Sequence, residues 1–232
     1  NALVIPDGCT SVTIKNSTNG YTDKNEQGQE VLAYHINGER KIFDTNLGTN
    51  KPNRTIVLLS LPDSVTEFSG LENTSITEFE VPASVQVIDS KLPNTLEKVS
   101  FRGVPREIRR GFEGTKITEI VIPEGVKELT GFANCKTLKT ITLPDSIEIL
   151  GATAFSNCTA LEVANLPANL KYIRAPNYAR DDHCFQNCSS LKELKIPESL
   201  TQIRFVDEMH ANGRIEFASS SRNYFKGCSS LP

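Results

Sequence analysis

The sequence predicts a mainly β solenoid with short helical or irregular limbs, covered at its start by an N-terminal β cap. Three observations carry this expectation. A 19-residue template, FANCKTLKTITLPDSIEIL at 132–150, returns as FSNCTALEVANLPANLKYI at 155–173 and FQNCSSLKELKIPESLTQI at 185–203 with identical spacing. Short apolar segments recur along residues 55–232, most of them stopped by proline. An Asn-Gly pair sits between two apolar-rich arms near the start of the chain. Self-similarity at a fixed short period is the mark of stacked supersecondary units, none of which buries its apolar face alone.

The segments end at Leu61, Val81, Phe101, Ile122, Leu143, Leu166 and Ile196, spaced by 20, 20, 21, 21, 23 and 30 residues. All but Phe101 are followed by proline: Pro62, Pro82, Pro123, Pro144, Pro167 and Pro197. Proline cannot donate to a ladder, so it ends the strand and begins the turn into the next limb. Within each strand, pairs such as Phe79/Val81, Ile120/Ile122 and Ile141/Leu143 alternate with period two and are expected to point inward. A second limb adds Val65/Phe68, Val85/Ile88, Val126/Leu129, Ile147/Leu150, Leu170/Ile173 and Leu200/Ile203. The repeat Phe at 112, 132, 155, 185 and 225, replaced once by Leu71, plugs the return.

Residues 1–54 are expected to form the N-terminal β cap. LVIPDGCTSVTI (3–14) has strand composition and one Ile-Pro, as a degenerate repeat edge would. Residues 15–30 are polar and read as a loop. VLAYHINGERKIF (31–43) places Asn37-Gly38 between its arms, the pair that supplies the positive φ angles of a type I′ hairpin turn. Residues 55–232 form the repeat array, with insertions at 174–183 and 204–224. The second insertion contains Asn212-Gly213, another hairpin signal. Both widen one limb of adjacent coils and are expected to emerge on one side. The chain ends at Leu231-Pro232, where another strand should begin, so the last coil reads as incomplete. It starts at Asn1 rather than Met, as it would after loss of a signal segment or trimming.

The six cysteines look like a disulfide set until they are placed on the repeat. Cys135, Cys158, Cys188 and Cys228 share one slot, three residues after the repeat Phe, and Cys184 takes the slot of Ala154. Both slots favour small, buriable, semi-polar side chains, which free cysteine supplies. Stacked copies about 5 Å apart with parallel Cβ vectors suit buried thiols better than disulfides. Cys9 has no evident partner.

The motif FxNCxxLxxIxLPxxIxxI, its shorter variant FEGTKITEIVIP (112–123) and the 20–23 residue spacing resemble the BspA-like family of leucine-rich repeats over about residues 55–231. That resemblance implies a right-handed solenoid with a short parallel sheet. It also implies an exported or cell-surface protein of the kind common in gut and oral bacteria, and a role in adhesion to host or matrix macromolecules. Residues 86–111 depart from the pattern, lacking both the Cys slot and a proline after Phe101, and are expected to form a coil of altered shape.

Chemistry is sparse. The net charge of −3 from 25 basic and 28 acidic residues gives no electrostatic case for nucleic acid. No apolar run reaches the roughly 20 residues that span a bilayer. There is no Gly-rich phosphate loop, GxSxG or His-Glu-x-x-His, so neither catalysis nor a cofactor is expected. A metal set of Asp181, Asp182, His183, Cys184 and Cys188 is set aside, because both cysteines occupy inward slots. Asn-x-Ser/Thr occurs at Asn16, Asn53, Asn73, Asn157 and Asn187, and the last two fall in the repeat turn, where they cap backbone.

Binding to a protein or matrix macromolecule is the functional expectation. The outward strand columns, Glu78, Lys98, Glu119, Thr140, Val163, Glu193 and Glu80, Ser100, Val121, Thr142, Asn165, Lys195, are mixed and carry no aromatic. The insertions combine arginine with aromatics, as interface hot spots do. The candidate binding residues are therefore Arg174, Tyr178, Arg180, Asp182, His183, Arg204, Phe205, His210, Arg214, Phe217, Arg222 and Tyr224. A structural spacer within a larger surface protein and a glycan-binding module are the alternatives.

Overall fold

The computed structural model describes residues 2–14, 23–24, 30–37, 39–43, 56–174, 183–195, 204–206 and 228–230. The chain divides into two compact units, Asn1–Gln86 with Ser90–Gly103, and Val87–Asp89 with Val104–Pro232.

In the first unit, β1 (Ala2–Val4) pairs in parallel with β6 (Leu58–Ser60), Leu3 opposite Leu59, and the Ile5 amide donates to the Ser60 carbonyl at 3.0 Å. β2 (Ser11–Ile14) pairs in parallel with β7 (Glu67–Ser69), Val12 opposite Phe68. Leu3, Ile5 and Val12 are buried. Residues 2–14 are thus a coil of the same kind as the repeat, and Ile5-Pro6 stands where Leu61-Pro62 stands in the next one. Beyond β3 (Asp23–Lys24) lie β4 (Glu30–Ile36) and β5 (Glu39–Phe43), an antiparallel hairpin. Asn37 turns it with φ 51°. β4 lies antiparallel against β2, Val12 opposite Ile36, so the hairpin covers the ladder edge that β2 would otherwise leave open. The Asn37 side chain fastens it: its Oδ1 accepts from the Thr10 amide (2.7 Å), the Thr10 hydroxyl (2.9 Å) and the Ser11 amide (3.1 Å). Gly70, with φ 80°, lies so close to the Ile14 carbonyl oxygen that any Cβ there would collide with it.

The unit closes with β8 (Glu78–Val81) and β10 (Lys98–Phe101), parallel and in register, Phe79 opposite Val99. Here the missing proline has a visible effect. Arg102 stands in its place and donates its amide to the Val81 carbonyl at 3.0 Å, one more rung of ladder. Its guanidinium meets Asp63 (3.1 Å) and Glu80 (3.4 Å) and donates to the Leu61 carbonyl.

The second unit holds two parallel ladders. The first-limb sheet runs β12 (Glu119–Val121), β14 (Thr140–Thr142), β16 (Val163–Asn165) and β18 (Glu193–Lys195). The second-limb sheet runs β9 (Val87–Ile88), β11 (Glu107–Ile108), β13 (Glu128–Leu129), β15 (Ile149–Leu150), β17 (Tyr172–Arg174) and β19 (Arg204–Val206). Inward from these face Ile120, Ile141 and Ala164, and Ile108, Leu129, Leu150 and Ile173, all buried. Between the limbs Phe112, Phe132, Phe155 and Phe185 stack with centroids 5.0, 6.0 and 5.3 Å apart.

The limbs between strands are turns. Among the described residues the one helical element is a 3-10 turn at Leu71–Asn73. Pro62, Pro82, Pro123, Pro144 and Pro167 each accept from the amide three residues on, as Pro144 does from Ile147 (3.2 Å) and Pro167 from Leu170 (3.1 Å). The segment Phe-x-x-Cys-x-x-Leu is two more such turns: Cys158 to Phe155 at 3.2 Å and Leu161 to Cys158 at 3.0 Å. The template therefore encodes a chain of successive reversals, with apolar side chains at the positions that face inward.

One register differs from expectation. Phe205, not Ile203, stands opposite Ile173. Residues 204–206, expected to open the second insertion, are instead a rung of the second-limb sheet. A slip of two residues keeps the alternation of faces and is therefore compatible with strand pairing.

Phe132 is fully buried between two other rings. Phe132→Ala is expected to lower the unfolding free energy by about 3–5 kcal/mol, as truncation of a buried Phe does. Denaturant unfolding measures this, and a loss below about 1 kcal/mol would contradict the packing described.

Candidate interaction face

The outward side of the second-limb sheet in the second unit carries the densest set of interlocked side chains. Glu107, Glu128, Ile149 and Tyr172 stand side by side in register on β11, β13, β15 and β17. All four are half-buried. Glu107 and Glu128 would repel as direct neighbours on adjacent strands, and each is matched by arginine. Arg106 (2.7 Å) and Arg109 (2.9 Å) meet Glu107, and Arg109 also reaches Asp89 at 3.5 Å. Arg174 reaches back over β15 to Glu128 at 3.0 Å. A Cβ on Gly151, which follows β15, would collide with the Thr130 methyl.

A second charged row borders the first. Glu148 accepts from both Lys171 (2.6 Å) and Lys127 (3.3 Å), one rung to either side. The hydrogen bond from Lys171, then that from Lys127, holds the Glu148 carboxyl below its ordinary range, and the same bond raises Lys171. The first-limb face is plainer. Glu119, Thr140 and Glu193 are exposed, as are Val121, Thr142, Asn165 and Lys195, and Val163 is half-exposed. In the first unit Lys98 pairs with Glu78 at 2.9 Å.

Of the candidate residues, Arg174 lies on this face. Arg204 and Phe205 stand in register with Tyr172 and Ile173. His183 is buried at 5% exposure. Its amide donates to the Gln186 Oε1 (2.9 Å) and its carbonyl accepts from the Gln186 amide (3.0 Å), which opens the turn into Phe185. His183 precedes the inward Cys184, so the turn carries it into the interior. Tyr178, Arg180, Asp182, His210, Arg214, Phe217, Arg222 and Tyr224 lie outside the described residues. Glu107, Glu128, Ile149 and Tyr172 were readable from the position just before the last apolar residue of each second limb.

The shared cysteine slot has a definite geometry. Each thiol donates to the carbonyl of the Phe one coil back: Cys135 to Phe112 (3.0 Å), Cys158 to Phe132 (3.0 Å), Cys188 to Phe155 (3.1 Å) and Cys228 to Phe185 (3.0 Å). All are free. Thr74 and Thr115 fill the slot in other coils, and their hydroxyls donate to the carbonyls of Leu71 and Phe112 at 2.8 Å. Burial pushes the Cys135 and Cys158 thiols up and Cys184 up to about 12. Beside them runs an amide ladder. Asn134, Asn157 and Asn187 adopt φ of 63°, 60° and 60°. Asn157 Nδ2 donates to Asn134 Oδ1 (3.1 Å), and Asn187 Nδ2 to Asn157 Oδ1 (2.8 Å). Among the described residues no group of three His, Cys, Asp or Glu side chains is placed to hold a metal ion, and no helix is long and apolar enough to cross a membrane.

Stacked coils with parallel ladders, a Phe column and a thiol slot define a leucine-rich repeat solenoid. The chain belongs to the BspA type leucine rich repeat family, whose model matches residues 106–232 in six copies. Leucine-rich repeat proteins are in general non-enzymatic, repeat-based interaction modules. No curated protein matches the sequence. Among solved structures, a leucine rich cell surface protein from Faecalibacterium prausnitzii A2-165 is similar at 18% identity with a TM-score of 0.41, covering 100% of this chain and 58% of its own. The chain thus spans less than two thirds of that protein's length. A leucine-rich repeat protein from Bacteroides ovatus ATCC 8483 is similar at 16% identity over 77% of this chain and 72% of its own, with a TM-score of 0.28.

Two outcomes are expected. Because the Glu148 carboxyl is held below its ordinary value of 4.5, its contribution to stability is present above that value and is lost as pH falls through the lowered one. Glu148→Gln should therefore be less stable than wild type at neutral pH, and the two should converge on acidification. Urea unfolding across pH checks this, and a difference that persists in acid would contradict it. Separately, Cys135, Cys158 and Cys184 should resist iodoacetamide in the folded protein at neutral pH and react on unfolding, read by peptide mass mapping.

Proposed function

We propose that the chain is an exported, adhesion-type module that binds a host or matrix protein through the second-limb face and the segments rooted at its edge. The observation that carries this reading is the pairing of β17 with β19. The two strands run in parallel with Arg174 opposite Val206, and the inserted segments follow those two strand ends directly. Neighbouring rungs thus send out both departures from the repeat, beside a face bearing Tyr172, Ile149 and Arg174. Insertions on one side of a repeat array are where binding surfaces are commonly built. Tyr and Arg are the side chains that most often dominate interface energies. The exported setting rests on the likeness of the repeat to surface proteins of its family.

The test is saturable binding to immobilised fibronectin, laminin, fibrinogen and collagen. Wild type is compared with a variant whose residues 175–182 and 207–224 are replaced by short Gly-Ser linkers and with Tyr172→Ala/Arg174→Ala. Thermal unfolding of each variant confirms folding. Wild type should bind at least one of these proteins, and both variants should lose it at least about tenfold. Unchanged binding by the folded variants, or no binding by wild type, would overturn the proposal.

A further inference from the structure

We infer that residues 56–71 are the last part of the N-terminal cap rather than the first part of the repeat array. They open from β8 as one unit with β1 and β2, and Arg102 is the latch that holds that unit shut. Both strands of this coil end a sheet. β6 pairs with β1, and β7 pairs with β2 and closes the order β3-β4-β2-β7. The next first-limb strand, β8, pairs onward with β10. In the second unit the first-limb ladder instead runs unbroken through β12, β14, β16 and β18. The stability of stacked coils is the sum of what each coil contributes and what each boundary adds. A boundary joined by single contacts rather than by a ladder is where such a stack opens first.

The contacts described across this boundary are of that single kind. The Ser75 amide donates to the Ile56 carbonyl at 2.9 Å. The Ala83 amide donates to Asp63 Oδ1 at 2.9 Å. Phe68 and Phe79 meet edge to face with centroids 5.3 Å apart. The other bonds come from Arg102, which follows β10. Its guanidinium meets Glu80 at 3.4 Å, reaches past β8 to Asp63 at 3.1 Å, and donates to the Leu61 carbonyl.

Proline explains why the latch is a side chain. One coil on, the Arg102 amide donates to the Val81 carbonyl. The equivalent donor to Leu61 would be Pro82, which has no N–H to give. The Leu61 carbonyl takes its bond from the Arg102 guanidinium instead, across 41 residues. Asp63 and Glu80 are 56% and 57% exposed, so salt screens both ion pairs. When Arg102 lets go, β1, β2, β6, β7 and the hairpin carried on β2 leave together, because the pairs β1–β6, β2–β7 and β2–β4 all lie on one side of the boundary. β8 and β10 keep their own ladder. This opening needs no binding partner and is independent of the function proposed above.

Native-state hydrogen exchange of the full chain tests it, read by mass spectrometry on peptides that cover each strand. In wild type the amides of β1, β2, β6 and β7 should share one protection factor, at least about tenfold below that of β13, β15 and β17. Arg102→Ala should lower the first value at least about fivefold further and leave the second unchanged. Asp63→Asn, which keeps the oxygen that accepts from Ala83 and removes the charge, should lower protection in the same strands. Added salt should do so in wild type but not in Arg102→Ala, which lacks the two ion pairs. Circular dichroism confirms that each variant folds, and if Arg102→Ala does not, Asp63→Asn and the salt series decide. Equal protection of the two groups in wild type would overturn the inference. So would a loss of protection spread evenly over the chain in the variants, or none in β1, β2, β6 and β7.

Discussion

No coil in this protein has a core of its own. A turn of about twenty residues exposes both flanks of its apolar side chains and both edges of its short strands, and only a neighbour above and below can cover them. Every other feature follows from that constraint. The strands are parallel and in register because like positions must meet like positions: Ile108 beside Leu129, Leu129 beside Leu150, Leu150 beside Ile173. The Phe column and the amide ladder of Asn134, Asn157 and Asn187 join each side chain to its own copy one coil away, and the thiol slot joins each cysteine to the Phe carbonyl of the coil before it.

The departures from the template are where coil-to-coil bonding is supplied differently. Arg102 stands where other coils have proline, adds a backbone rung and ties its guanidinium to Asp63, Glu80 and the Leu61 carbonyl. The hairpin of β4 and β5 closes the ladder edge at β2 and is fastened by the Asn37 amide. On the second-limb face, like-charged Glu107 and Glu128 sit on adjacent rungs and are tolerated because arginines from other rungs and turns reach them. Such half-exposed pairs contribute little stability individually. Their consequence is a face whose side chains are held in place beside Tyr172 and Ile149.

Much of the fold was legible because repetition removes ambiguity. A lone Phe-x-Asn-Cys says little, but the same residues at the same offsets in successive copies separate packing positions from surface ones. Asn37-Gly38 could be read as a turn because few residues accept positive φ. Other features were not legible. That the slot cysteine is a hydrogen-bond donor to the preceding Phe carbonyl shows in sequence only as its exchange with Thr74 and Thr115. The placement of Phe205 opposite Ile173 depended on a two-residue slip that leaves the alternation unchanged, so apolar pattern alone favoured Ile203 equally. His183 looked like a surface residue because it borders an insertion, yet it shares the turn of the buried Cys184. The second-limb face is less legible because its rungs β11, β13 and β15 are only two residues long and its outward position changes from Glu to Ile to Tyr along the stack.

The buried slot is held by a hydrogen-bond donor to a backbone carbonyl rather than by apolar packing. Comparing Cys158→Thr with Cys158→Val tests it, since the two side chains match in shape and differ in the donor. If the slot is a hydrogen-bonding position, the threonine variant is the more stable in denaturant unfolding, by about 0.5–1.5 kcal/mol. If the slot were simply apolar, burying an unsatisfied hydroxyl would cost stability, and a more stable valine variant would contradict the account.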